Sequence, residues 1–204
     1  MIPTFNLENK AIAEGYKMIA GIDEAGRGPW AGPLVAAAVI LDIATFDNDK
    51  IKDSKMLTPK RREELSPWIQ ENCLAFAVGE VSSEEIDTIG LQMANKTAMK
   101  RAIEGLKIKP EFILTDYVGR IDFRTPFQSI KSGDKISFSI AAASIIAKVY
   151  RDKLMLEFAS KYPEYGFEKH KGYGTKLHQE MLLKYGICPI HRQCFKPIKR
   201  LQNR

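Results

Sequence analysis

The stretch GIDEAGRGP, residues 21–29, puts two adjacent carboxylates, Asp23 and Glu24, at the end of an apolar run that begins at Met18. A cation framed by glycines, Gly26-Arg27-Gly28, follows directly. Like charges side by side at the end of a buried segment are costly unless something positive binds between them. The run 18–23 therefore reads as a buried strand that leads into a site, and the tight glycine turn can fold Glu24 back onto it.

Outward from this stretch, 34–41 (LVAAAVIL) is a second strand and 72–81 alternates well enough for a third. EFILTD (111–116) is a short strand that ends on an acid, and 127–131 is a fifth, just before Gly133-Asp134. Thr58-Pro59 has the form of a cap followed by proline at the helix start, predicting a helix to about Gln70. Ser82 or Ser83 opens a short helix, and 91–106 has helical spacing. A long helix is predicted from about Ser137 to Ser160, its first turns built from small residues, SIAAASIIAK, that permit very close packing on a sheet. From Lys161 the chain turns rich in Gly, Pro, Tyr and Lys, with a helix at 176–185 and a basic tail. Strands followed by helices, then two more strands and a helix, make an α/β pattern.

Asp116 also ends a strand, and Asp134 stands between the fifth strand and the long helix. The ends of sheet strands are where α/β folds place ligands. If Asp23, Glu24, Asp116 and Asp134 converge, they form an oxygen-only site suited to Mg²⁺ or Mn²⁺ rather than zinc. Two such ions ~3.5–4 Å apart clamp the attacking and leaving oxygens of a phosphodiester displacement. Taken singly, Asp134 reads equally as a helix cap and Asp116 as an ordinary strand-end acid. The Asp23-Glu24 pair is harder to explain without a cation.

The length of 204 residues suits one domain with an extension, or at most two small domains. Lys and Arg number 31 against 25 acids, a +6 balance that favours polyanionic partners, although a merely soluble basic protein fits as well. Three cysteines, Cys73, Cys188 and Cys194, argue for a reducing compartment over a disulfide scaffold. No apolar run approaches the ~20 residues that span a bilayer, and MIPTFNLENK lacks the apolar segment of a signal peptide.

The blocks GIDEAGRGPWAGPLVAAAV (21–39), DSKML (53–57), ILTD (113–116), KSGDKISFSIAAASIIAKVYRD (131–152), HKGYGTKLH (170–178) and PIHRQCF (189–195) resemble, in this order, the type 2 ribonuclease H family, and closely its bacterial ribonuclease HII members. The resemblance covers most of residues 18–197; Tyr117-Val118-Gly119-Arg120 departs from it and is assigned no role. It implies an RNase H-like core, a five-stranded mixed sheet with helices on both faces, over 1–160, and a small helical extension over 161–204. It implies that Asp23, Glu24, Asp116 and Asp134 are the metal-binding catalytic acids, working with Mg²⁺ or Mn²⁺. It also implies hydrolysis of the RNA strand of RNA–DNA hybrids and cutting 5′ of a single ribonucleotide in DNA, to give a 3′-hydroxyl and a 5′-phosphate. The expected setting is a cytoplasmic monomer acting on nucleic acid, with no membrane.

On this resemblance Gly26, Arg27 and Gly28 read the ribose 2′-hydroxyl, and Tyr173 stacks on the next sugar. A glycine-framed backbone can approach a sugar closely; the glycines beside Tyr173 leave its ring open, although by itself a loop tyrosine of this kind reads as ordinary packing. Ser54 and Lys55 are candidates for holding the scissile-strand backbone, or belong to a solvated loop. Lys148 and Arg151 share a helix face; Lys148 is a phosphate candidate, and Arg151 reads as structural, paired with a surface acid. Lys169 and Lys171 form a basic loop that would neutralise phosphates. In CPIHRQC (188–194), zinc is disfavoured because a fourth ligand and a paired C-x-x-C are missing. His178 and His191 read as hydrogen-bonding residues.

Overall fold

The computed structural model describes residues 2–47, 51, 58–116 and 123–202; Ser54, Lys55 and 117–120 lie outside them. Strands β1 (Ile19–Ala25), β2 (Leu34–Ile40), β3 (Ala75–Val81), β4 (Phe112–Asp116) and β5 (Phe127–Ile130) form one five-stranded sheet in the order β3-β2-β1-β4-β5. β2 runs antiparallel to both β1 and β3, whereas β4 runs parallel to both β1 and β5. The mixed sheet expected from the sequence is therefore present.

Around it lie α1 (Asn6–Ala13), α2 (Pro59–Asn72), α3 (Ser83–Glu104), α4 (Phe138–Lys161), α5 (Phe167–His170), α6 (Lys176–Tyr185) and α7 (Lys196–Gln202). Thr58 caps α2 ahead of Pro59, as its sequence predicts. The two helices expected on either side of Gly90 run on as α3, with a break at Gly90 where φ is 76°. Side chains alternate across β2, so Val35, Ala37 and Val39 pack with α2 and α4, while Ala36 and Ala38 pack with α3. Helices thus cover both faces. None of the described helices is long and apolar enough to cross a membrane.

The close seat of α4 on β1 positions everything upstream of that helix. A Cβ on Gly21 would lie 2.1 Å from the Ser139 carbonyl carbon and 2.4 Å from the Ile140 nitrogen. Only hydrogen fits there. Ser137 caps α4 by accepting from the Ile140 amide at 3.2 Å. Buried Glu8 of α1 accepts from the Ser137 hydroxyl at 2.6 Å and the Ser139 amide at 3.0 Å. The single helical turn Gly133–Lys135 just before α4 is thereby held beside the sheet.

Residues from Tyr165 onward build a separate apolar cluster from Tyr165, Phe167, Leu182, Cys188, Ile190 and Ile198, completed by Ala31 and Met155. Ala31 pairs with His191, and the Gly32 amide donates to the Ile190 carbonyl at 2.9 Å. The C-terminal segment therefore packs on the loop that follows β1.

Gly21→Ala should destabilise the protein by at least about 3 kcal/mol, because its methyl group meets helix backbone that cannot swing aside. Denaturant midpoints of the two proteins check this; an unchanged midpoint would mean that α4 does not sit against β1 as described.

Candidate active site

β1 and β4 are parallel neighbours in register at Ile22 and Thr115, so the next residue of each strand, Asp23 and Asp116, stands side by side at the same end of their shared ladder. Asp23 is buried. Its carboxyl is held well above the ordinary carboxylate range by burial first, then by the charge of Glu24, with a smaller push from Asp116; a hydrogen bond from Ser144 of α4 opposes this. Burial also raises Glu24, against the pull of the Arg27 guanidinium, which lies 3.2 Å from Glu24 Oε1. Glu24 Oε2 is buried with no hydrogen-bond partner. Asp116 accepts from the Gly133 amide at 3.1 Å, tying the end of β4 to the turn that carries Asp134. Asp134 and Glu24 line one cavity of about 510 Å³ together with Gly26, Arg27, Gly28, Ser144, Lys148 and Tyr173.

The structure thus couples Asp23, Glu24 and Asp116 electrostatically and brings Asp134 into the same cleft. Among the described residues no three Asp, Glu, His or Cys side chains are gathered closely enough to hold one ion. Carboxylate repulsion and the Arg27 contact both oppose a tighter cluster. The donor set still fits a hard divalent cation: it offers only oxygens, Asp23 and Glu24 are desolvated, and one buried carboxylate oxygen of Glu24 is unsatisfied.

Gly26 turns the chain at φ 97°, a backbone region suited to glycine, and a Cβ there would strike the Arg151 side chain at 2.2 Å. The loop from Gly26 to Pro33 is gripped from below by two buried arginines. Arg192 donates through Nε to Gly32 O (2.9 Å), through Nη1 to Pro29 O (2.9 Å) and Arg27 O (3.2 Å), and through Nη2 to Gly26 O (2.6 Å) and Pro33 O (3.0 Å). Arg151 donates to the carbonyls of Pro33 (2.9 Å), Lys171 (3.1 Å) and Ala31 (3.2 Å). Arg151 is structural, as its sequence suggests, but its partners are carbonyls in the interior and not a surface acid.

Tyr173 stands at the cavity mouth with 46% of its surface exposed. A Cβ on Gly28 would come 3.6 Å from its ring. Its turn docks on the β1–β2 loop through the Trp30 amide, which donates to the Gly172 carbonyl at 2.8 Å. All three histidines brace this turn. The Cys188 amide donates to His191 Nδ1 (2.8 Å), which leaves the His191 proton on Nε2, facing His178 Nε2 at 2.9 Å. His178 then carries its proton on Nδ1, which donates to the Tyr173 carbonyl at 3.0 Å. The Gly172 amide donates to His170 Nδ1 at 3.2 Å, and the His170 ring stacks on His178 with centroids 4.4 Å apart. Burial pushes His178 and His191 down to about 4, so both are neutral at pH 7.

Lys148 lines the cavity while paired to Asp152 at 2.6 Å. Lys169 is exposed, and Lys171 donates through Nζ to the Glu168 carbonyl at 2.6 Å; neither lines the cavity. Sequence reading missed Arg62 and Lys135, which line the cavity, and Ser144, which bonds Asp23. Arg62 stands in a basic run at the start of α2, a signal that was there to find; Ser144 is hidden among small residues read only for packing.

Residues 20–198 match a family profile described as Ribonuclease HII. The Ribonuclease HII of Acholeplasma laidlawii is 50% identical over 201 residues, covering 98% of this chain and 98% of that protein. That of Caldicellulosiruptor bescii is 50% identical over 191 residues, covering 94% of this chain and 92% of its own. Among solved structures, the ribonuclease H2 of Pyrococcus horikoshii OT3 superposes with a TM-score of 0.79 at 28% identity, over 92% of this chain and 98% of that one.

Because His178 and His191 fall from an ordinary 6.5 to about 4 on folding, the unfolded chain binds more protons between these values. Their contribution to stability is fully present above about pH 6.5 and is lost as the pH falls toward about 4. The raised carboxyls of Asp23 and Glu24 act in the opposite sense. The gap in melting temperature between wild type and His191→Asn should therefore narrow from about pH 7 to about pH 5. The imidazole NMR signals of His178 and His191 should stay in their neutral form over the same range; titration near pH 6.5 would contradict the buried chain.

Proposed function

The chain belongs to the ribonuclease HII family and is a metal-dependent ribonuclease H, and we propose that it hydrolyses the RNA strand of RNA–DNA hybrids and cuts on the 5′ side of single ribonucleotides embedded in duplex DNA. The observation that supports this reading is that two of the acids, Glu24 and Asp134, line one cleft together with the Gly26-Arg27-Gly28 turn and the exposed Tyr173 ring, with Asp23 and Asp116 electrostatically coupled to Glu24 beside it. Carboxylates facing a polyanion serve no purpose in binding alone, whereas a hydroxyl-reading turn beside them selects the position to be cut.

Asp23, Glu24, Asp116 and Asp134 would hold two Mg²⁺ or Mn²⁺ ions. When bound, the ions supply charge that makes a water nucleophilic and stabilises the departing 3′-oxygen, so the products carry a 3′-hydroxyl and a 5′-phosphate. Ser144 orients Asp23, and Arg27 balances the charge of Glu24. Gly26, Arg27 and Gly28 read the 2′-hydroxyl, which both donates and accepts hydrogen bonds. Tyr173 stacks on the following deoxyribose. Lys148, Lys169 and Lys171, with Arg62 and Lys135, supply positive charge along the duplex path, and Ser54 and Lys55 are assigned to the scissile-strand backbone. We treat 161–204 as an extension that carries Tyr173 and braces the 1–160 catalytic unit. We assign the chain as a monomer, and three unpaired cysteines support a cytoplasmic setting.

The direct test is a duplex with one ribonucleotide, incubated with Mg²⁺ or Mn²⁺: the nick should lie 5′ of the ribonucleotide and leave an end that a polymerase extends. Asp23→Asn should lower the cleavage rate at least ~10³-fold, about 4 kcal/mol of barrier. The same variant should melt higher than wild type in chelator, because a desolvated charge among like charges is gone. Near wild-type turnover in Asp23→Asn would remove it from the metal site.

Tyr173→Ala should slow single-turnover cutting at a lone ribonucleotide by at least about tenfold, more than it weakens duplex binding, and Tyr173→Phe should be milder. Equal cutting rates for Tyr173→Ala and wild type would place junction recognition elsewhere.

A further inference from the structure

Arg192 is fully buried, yet it holds the wall of the cleft. A trans peptide is planar, with each carbonyl and the following N–H on opposite sides. Arg192 grips the carbonyls of Gly26 and Arg27 from inside the fold. The amides of Arg27 and Gly28 must then face the other way, toward the cavity that both residues line. Among the described residues, neither amide donates to another backbone group.

We propose that Arg192 is a positioning residue for sugar recognition: its fork sets the direction in which the Arg27 and Gly28 amides meet a ribose 2′-hydroxyl. This inference rests on the reading of the 26–28 turn given above and names the group that gives the turn its selectivity. The site calls for a guanidinium. Its planar array of donors reaches five carbonyls between Gly26 and Pro33, whereas a lysine ammonium offers three donors from a single atom. Residue 192 lies far along the chain from the turn and is fully buried, so it shapes substrate choice without itself touching substrate.

The test uses the full-length protein and two duplexes that differ by one 2′-hydroxyl, with chelator present so that no cutting occurs. Wild type should bind the ribonucleotide duplex about tenfold tighter than the all-DNA duplex. In Arg192→Lys, checked for folding by its melting curve, that ratio should fall to about one while affinity for the all-DNA duplex stays within about twofold. A purely structural role would lower both affinities together and keep the ratio; that result, or an unchanged ratio, overturns the proposal. Arg192→Gln, which keeps two N–H donors, is the second variant under the same criterion. If neither variant folds, Arg192 serves the fold as a whole and the proposal also fails. Failure of the parent reading is distinct, because it shows in the wild type, as equal affinity for the two duplexes.

Discussion

Two guanidinium groups, Arg192 and Arg151, lie inside the protein bonded to backbone carbonyls, and the cleft depends on them. Burying a cation is expensive unless its donors are satisfied. Here the offset comes from the carbonyls of the loop after β1, which turn inward to meet the charge. Burial, then the neighbouring Arg151, lowers Arg192 to about 9, so it remains charged at neutral pH. The loop cannot leave this arrangement without stranding the charge and several carbonyls at once, a penalty well above that of one ordinary hydrogen bond. The same contacts join the C-terminal segment to the end of β1, so the tyrosine turn and the glycine turn are fixed relative to each other.

A second constraint works from the other side of the cleft. Gly21 admits the backbone of α4, and the small residues along the first turns of α4 let it lie flat on β1. This close seat carries Ser144 to Asp23 and holds Asp134 just upstream. Glu8 of the short helix α1 locks the start of α4 through Ser137 and Ser139. The acids gain their positions at an energetic cost, shown by the raised carboxyls of Asp23 and Glu24. Sites that bind charge are commonly less stable than their neutral replacements, and this cluster has the electrostatics of such a site.

The histidines give the tyrosine turn a polar brace with no net charge. Burial keeps His178 and His191 neutral, which lets one ring donate to the other and the second to the Tyr173 carbonyl. An exposed aromatic ring thus stands on a rigid support.

Much of this was written locally in the chain. Alternating and continuous apolar runs marked all five strands of the sheet, and acids at two strand ends marked the cleft. Thr58-Pro59 marked a helix start, and the order of the motif blocks marked the family. What lay beyond reach depended on contacts distant in sequence. The helix α1 is short and half polar, and the burial of Glu8 against the start of α4 gives it a role that its own residues do not announce. Arg151 carried no local sign that its partners would be carbonyls of a loop more than a hundred residues earlier. Arg192 sat in a segment read for its cysteine and histidine spacing, and only packing aims its fork at Gly26 and Arg27. Periodicity reports which way a side chain faces within its own element, because backbone geometry repeats. Which donor meets which acceptor is decided by how the elements stack, and that information resides in the folded structure alone.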